Sequence, residues 1–225
     1  MHIESGLVDA SKLWLSYLTA GSAATYTLKV SWETVREHGL ASLLMPSLVT
    51  TALVFAFFEV FPHYPIGVSE VHLILGSTLF LIFESAPAAI GLALGLLVQG
   101  LFFAPFDLPP YGMNIATLLV PLLVLSVLTR RIIAPDTPYV DLRYRHALAL
   151  STTQQAGVVA WVAFWAIYSQ GFTMDNAAAV ASFGATYLLV IIVEPLVDLA
   201  VLATAKNLHR LRGSLFLDQR LYGPT

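Results

Sequence analysis

The sequence predicts an all-α integral membrane protein: a bundle of about seven transmembrane helices, with its N-terminus outside and its C-terminus in the cytoplasm. Three observations predict it. Apolar residues make up 57% of the 225 and charged residues 11%, against about 45–50% and about 25% in soluble domains. The apolar residues gather into runs, most of them long enough to cross a hydrocarbon core about 30 Å thick. The basic residues fall on alternate connections between those runs, as the positive-inside rule requires.

Taken in order, a polar stretch over residues 4–12 leads into a first apolar run at 13–30, rich in small residues, with Ala20 and Ala24 one turn apart. Residues 32–39 read as a charged turn. The second run spans 40–61 and contains Pro46. Residues 63–71 are a loop by their Pro and Gly. The run from His72 to residue 83 has only 12 residues, about 18 Å as a helix and too short to span. It therefore either begins at Ile66 or is a broken helix, and in both cases His72 lies below the membrane surface. Residues 84–87 form a tight turn into 88–103, where Gly91 and Gly95 make a close-packing face. A Pro-rich loop at 104–112 precedes the fifth span, 113–133. A basic loop reaches to residue 146, and spans at 147–168 and 177–205 complete the set.

Lys29 and Arg36 lie in the first connection, Arg130, Arg131, Arg143 and Arg145 in the fifth, and Lys206, Arg210, Arg212 and Arg220 in the tail. The second, fourth and sixth connections hold no Lys or Arg. Ten of the eleven basic residues thus share one side, which the rule makes cytoplasmic. We read residues 1–225 as one transmembrane domain: an N-terminal segment (1–12), a bundle (13–205) and a basic cytoplasmic tail (206–225). No basic region precedes an apolar core and a small-residue cleavage site, so a cleaved signal is not expected. The bulky His2 should also keep Met1 in place.

Several chemistries are excluded. Without cysteine there is no disulfide, thiolate zinc site, iron–sulfur cluster or thiol nucleophile, so any metal must be held by nitrogen or oxygen. There is no G-x-x-x-x-G-K-[ST], H-E-x-x-H or G-x-S-x-G. The chain therefore has no P-loop for ATP hydrolysis and no recognisable hydrolase site. A net charge of −3 gives no footing for nucleic acid, and the Arg-bearing stretch 207–212 reads as a segment for the bilayer surface or a partner.

Three groups of residues could carry function. An unblocked Met1-His2 offers the terminal amine, the His2 amide nitrogen and the His2 imidazole to one cation. Three nitrogens in a plane suit Ni(II), Cu(II) or Co(II), and a fourth position stays open. His72 fills it in our reading: ionisable groups at membrane depth are costly and usually functional, and topology brings His72 to the same outer face as Met1-His2. Asn114, at the outer start of the fifth span, could orient a ligating imidazole. His63 could serve as a loop ligand for an incoming ion, while Glu59 and Glu84 read as interfacial. Glu194 and Asp198, four apart on the last span, share one helical face and could form a cation path or proton relay in the inner half.

The segments Met1-His2-Ile3-Glu4-Ser5-Gly6, Ser69-Glu70-Val71-His72-Leu73 and Gly112-Met113-Asn114-Ile115 resemble the CbiM/NikM family, the substrate-capture components of cobalt and nickel energy-coupling-factor (ECF) transporters. The resemblance implies a seven-helix membrane protein whose N-terminus folds back into the outer face. It implies a transported Co2+ or Ni2+ held by Met1, His2 and His72, with no organic cofactor. The implied partners are a transmembrane coupling subunit, cytoplasmic ATPase subunits and a small accessory membrane subunit, in the bacterial or archaeal cell membrane. A link to cobalamin biosynthesis is implied too. Ala20 and Ala24 would pack against the coupling subunit. Where the family usually has small residues before the histidine, this chain has Glu70-Val71; Glu70 adds a carboxylate that favours a harder or higher-coordinate metal, and Ser69 stands beside it. From the residues alone, a stand-alone cation carrier or channel using Glu194 and Asp198 stays open, as does an integral-membrane enzyme.

Overall fold

A computed structural model describes residues 12–61, 64–134, 137 and 139–208. Seven α-helices carry most of these residues: α1 Leu13–His38, α2 Leu40–Glu59, α3 Gly76–Phe83, α4 Ser85–Phe102, α5 Tyr111–Ile132, α6 Tyr144–Gln170 and α7 Met174–Leu208. A short antiparallel hairpin pairs β1 Tyr64–Ile66 with β2 Ser69–Val71. Four helices, α2, α4, α5 and α7, are long and apolar enough to cross a membrane by themselves. The protein is an all-α, multi-pass membrane fold.

Helices α1 and α6 have the length, 26 and 27 residues, but a more polar make-up. The reason is on their buried faces, which carry Ser16, Thr27, Ser31 and Thr34 on α1 and Ser151, Gln154 and Gln155 on α6. The α1 hydroxyls are satisfied locally: Thr27 donates to the Ala23 carbonyl at 2.9 Å and Ser31 to that of Thr27 at 2.8 Å. Such bonds back along the helix let a polar side chain sit inside a bundle.

One sequence expectation is corrected and a second narrowed. Residues 32–39 are not a charged turn: α1 continues to His38, because Trp32, Glu33, Arg36 and Glu37 occupy its exposed face while Ser31 and Thr34 face inward. Lys29 and Glu33 pair at 3.8 Å one turn apart, and the break falls only at Gly39, whose φ of 85° suits glycine. The tight turn expected at 84–87 is confined to its first residue. Glu84 alone reverses the chain at φ 68°, and α4 opens at Ser85 with Pro87 in its first turn, where a missing N–H costs nothing.

Helices α2 and α4 pack together in parallel. Built Cβ atoms on Gly91 and Gly95 would strike Thr50 and Val54, the latter at 2.6 Å, and Gln99 reaches Glu59 at 3.3 Å. Glycine at both positions is what lets the backbones meet. Thr50 also donates to the Pro87 carbonyl at 2.7 Å. Because the two helices run the same way, the chain between them must return through the thickness of the bundle. Yet α3 has only eight residues, about 12 Å of helix. Residues 72–75 supply the rest in non-helical form, so the third run is a broken helix. Irregular backbone at this depth is tolerated only when buried in protein, and His72, Ile74 and Leu75 are all buried.

This path defines two ends. At the hairpin end lie the start of α1, the ends of α2, α4 and α6, and the starts of α5 and α7. At the opposite, basic end lie Lys29, Arg36, Arg131, Arg143, Arg145 and Lys206.

Candidate metal centre

The hairpin is pressed onto α7 by Gly67. Its φ is 64°, and an added Cβ would strike the Ala179 carbonyl and come within 2.8 Å of Ser182 Oγ. Lying so close, β2 feeds straight into the buried segment that carries His72. The imidazole is 1% exposed. Its ring rests on Phe58 with centroids 4.9 Å apart, the Tyr187 hydroxyl of α7 donates to its carbonyl at 3.4 Å, and Nε2 lies 3.0 Å from Glu70 Oε2. With Nε2 donating to Glu70, Nδ1 carries the lone pair and is the ring nitrogen able to ligate a cation.

Glu70 holds the ring from a partly open position, its side chain 26% exposed, and Ser69 before it is buried. With His72 as a metal ligand, replacing Glu70 with Gln should leave the fold intact and weaken binding about 10- to 100-fold, the usual effect of losing a carboxylate behind a ligating histidine. Equilibrium dialysis with Co2+ measures this directly.

A carboxylate that sequence reasoning passed over lies nearby. Asp107 ends a short 3-10 turn, 105–107, in the Pro-rich connection between α4 and α5. Burial, and then the charge of Glu70, push its carboxyl up to about 6. The available signal was a lone acid in an otherwise apolar loop. Asn114 is 1% exposed in the first turn of α5 at this same end. That turn lies against α1, since a Cβ on Gly112 would stand 2.9 Å from Ser16 Oγ.

Met1, His2 and His63 lie outside the described residues, as do Arg210, Arg212 and Arg220. Among the described residues no group of three or more His, Asp or Glu is placed to hold a metal. Lys12, the first described residue, is fixed at the hairpin end: its Nζ donates to the carbonyls of Tyr168 and Ser169 at 2.9 and 2.8 Å, completing the end of α6.

The other candidates are dispersed. Glu59 bonds Gln99 and Glu84 is exposed. Ala24 is exposed on α1, whereas Ala20 is half-buried against the core. Glu194 and Asp198 are 0% and 1% exposed, about 10 Å or more along α7 from Tyr187, and bond α3 and α6 rather than His72.

Two solved structures share this fold. A transition metal transporter aligns with a TM-score of 0.66 and 19% identity, over 95% of this chain and 100% of that one. A truncated transition metal transporter aligns with a TM-score of 0.65 and 18% identity, over 91% and 99%. No curated protein matches the chain. The sequence profile described as "CbiM: Cobalt uptake substrate-specific transmembrane region" matches residues 2–210. The chain therefore belongs to the CbiM family and is a membrane component of cobalt or transition-metal transport.

Proposed function

We propose that this chain is the substrate-capture component of an ECF-type transporter, binding Co2+ or Ni2+ at the outer face through Met1, His2 and His72. The observation that carries this is the His72 imidazole, buried where the return passage is unwound and aligned by a carboxylate. An intramembrane ionisable group in such a setting is functional by default. The hairpin end is the outer side, because Lys29, Arg36, Arg131, Arg143, Arg145 and Lys206 gather at the other. Residues 1–12 are the chelating segment, and Lys12 anchors it on the side where His72 lies. Bundle and basic tail form one domain in the cell membrane.

Having no P-loop, the chain acts with cytoplasmic ATPases and a transmembrane coupling subunit, with a small accessory membrane subunit alongside. The coupling subunit packs on α1 at Ala20 and Ala24. The terminal amine and two imidazoles supply nitrogen, and Glu70 and Asp107 add negative charge that draws in a cation.

Metal content of purified protein with a native N-terminus should be stoichiometric, and one residue added before Met1 should abolish it. Equal metal in both forms would overturn the chelate. Affinity should also fall with acidity. Amine, amide and imidazole must all be deprotonated to ligate, and Asp107, ionised above about pH 6, becomes neutral below it. Both effects have the same sign, so Co2+ titrations at stepped pH should show progressively weaker binding towards acid pH.

A further inference from the structure

Glu194 and Asp198 lie one turn apart on α7, wholly enclosed. Ser77 Oγ stands 2.9 Å from Glu194 Oε1 and 3.2 Å from Asp198 Oδ2. Thr78 Oγ1 donates to Asp198 Oδ1 and Gln155 Nε2 to Glu194 Oε2. No Lys, Arg or His side chain contacts either carboxylate among the described residues.

A serine hydroxyl has one hydrogen, and an ionised carboxylate has none to give. Ser77 can donate to one carboxyl, but its second contact is a hydrogen bond only if the other carboxyl donates to it. The bridge closes when the pair holds one proton. Two bare carboxylates with no basic side chain beside them, at membrane depth, are strongly disfavoured.

Helix α6 packs beside the pair, and its Gln155 reaches Glu194. Gln154, 1% exposed, has no partner at either amide atom, and Gln155 Oε1 and Ser151 Oγ also have none. The Gln154 amide lies against Gly76, next to Ser77: a Cβ there would be 3.0 Å from Nε2. These residues form a polar track on α6 beside the pair. Buried polar atoms left over in this way need an explanation, and a bound water or ion among them is one. An amide suits both charge states, offering N–H to a carboxylate or C=O to a carboxylic acid.

We propose that Glu194 and Asp198 form a proton-binding site, one proton being held by the pair across Ser77 and exchanged along Ser151, Gln154 and Gln155. Uptake moves H+ from hydronium to one carboxylate oxygen and leaves water; only O–H bonds change. Other titratable groups facing the pair are Tyr139, whose phenol is raised by burial and then by the charge of Asp198, and Tyr187 on α7 itself. Helices α3 and α6 contribute none there, and Glu70 and His72 of the hairpin segment lie beyond Tyr187. Because Ser77 and Thr78 open α3, proton occupancy biases how α3 is seated. Its effect on cargo depends on the His72 site, but the proton site itself does not.

Infrared difference spectroscopy on the metal-free full chain tests this. A carboxylic-acid C=O band that shifts on deuteration should be present at neutral pH. It should vanish in the double variant Glu194→Gln, Asp198→Asn and persist in His72→Ala, which separates this site from the cargo site. If the double variant does not fold, Ser77→Ala gives the second readout, a loss of at least half of the band at neutral pH. No band in the native chain, or an unchanged band in the variants, would overturn the proposal. So would stoichiometric Na+ or Mg2+ binding that depends on Glu194 and Asp198 in place of the band.

Discussion

His72→Ala should abolish metal capture. The change removes the one imidazole that the described fold holds at the hairpin end, and it leaves Glu70 facing a cavity in place of a ring. Loss of a supporting carboxylate costs about 10- to 100-fold, and loss of the proposed ligand itself should exceed that. Co2+ titration of the variant should show no saturable binding at concentrations that fill the native protein. Thermal unfolding of the metal-free variant should show only a moderate loss, because Phe58, Ile74 and Leu79 still close the core around the gap. Saturable binding at native strength would remove His72 from the site.

Gly91→Leu should prevent the bundle from assembling. An added Cβ would already lie 2.8 Å from the Thr50 carbonyl carbon, and backbone cannot swing aside as a side chain can. Overpacking typically costs about 1–3 kcal/mol, and leucine adds three more carbons to the same space. The variant should be recovered as aggregate on size-exclusion chromatography in detergent. Gly91→Ala should fold with a lower melting temperature, and Gly21→Leu, where nothing stands within 4 Å, should behave as native.

Much of this was legible in the sequence, and the legible parts have one cause. Apolar runs and the Gly91–Gly95 spacing report directly on lipid and on close helix contact, so the long helices and a close-packing face on α4 could be read locally, while its partner α2 could not. The extension of α1 through Glu33 and Arg36 could not, since charge suggests a turn until the buried Ser31 and Thr34 show which face is which. The length of 72–83 gave away the broken passage, but the hairpin that fixes His72 depends on Gly67 meeting Ala179, more than a hundred residues away. Asp107 was hidden for the same reason: only the fold sets it near Glu70. Likewise the spacing of Glu194 and Asp198 was visible, while their partners Ser77, Thr78 and Gln155 come from two other helices.

The short helix α3 is bounded by Leu75 at φ 54° and Glu84 at φ 68°. Non-glycine residues in this region cost about 1–3 kcal/mol each and persist only where surroundings impose them. An eight-residue helix between two such joints is mechanically a latch, not a strut. Its Ser77 and Thr78 are held from the side by Glu194 and Asp198 of α7, while both ends are already wound against their preference.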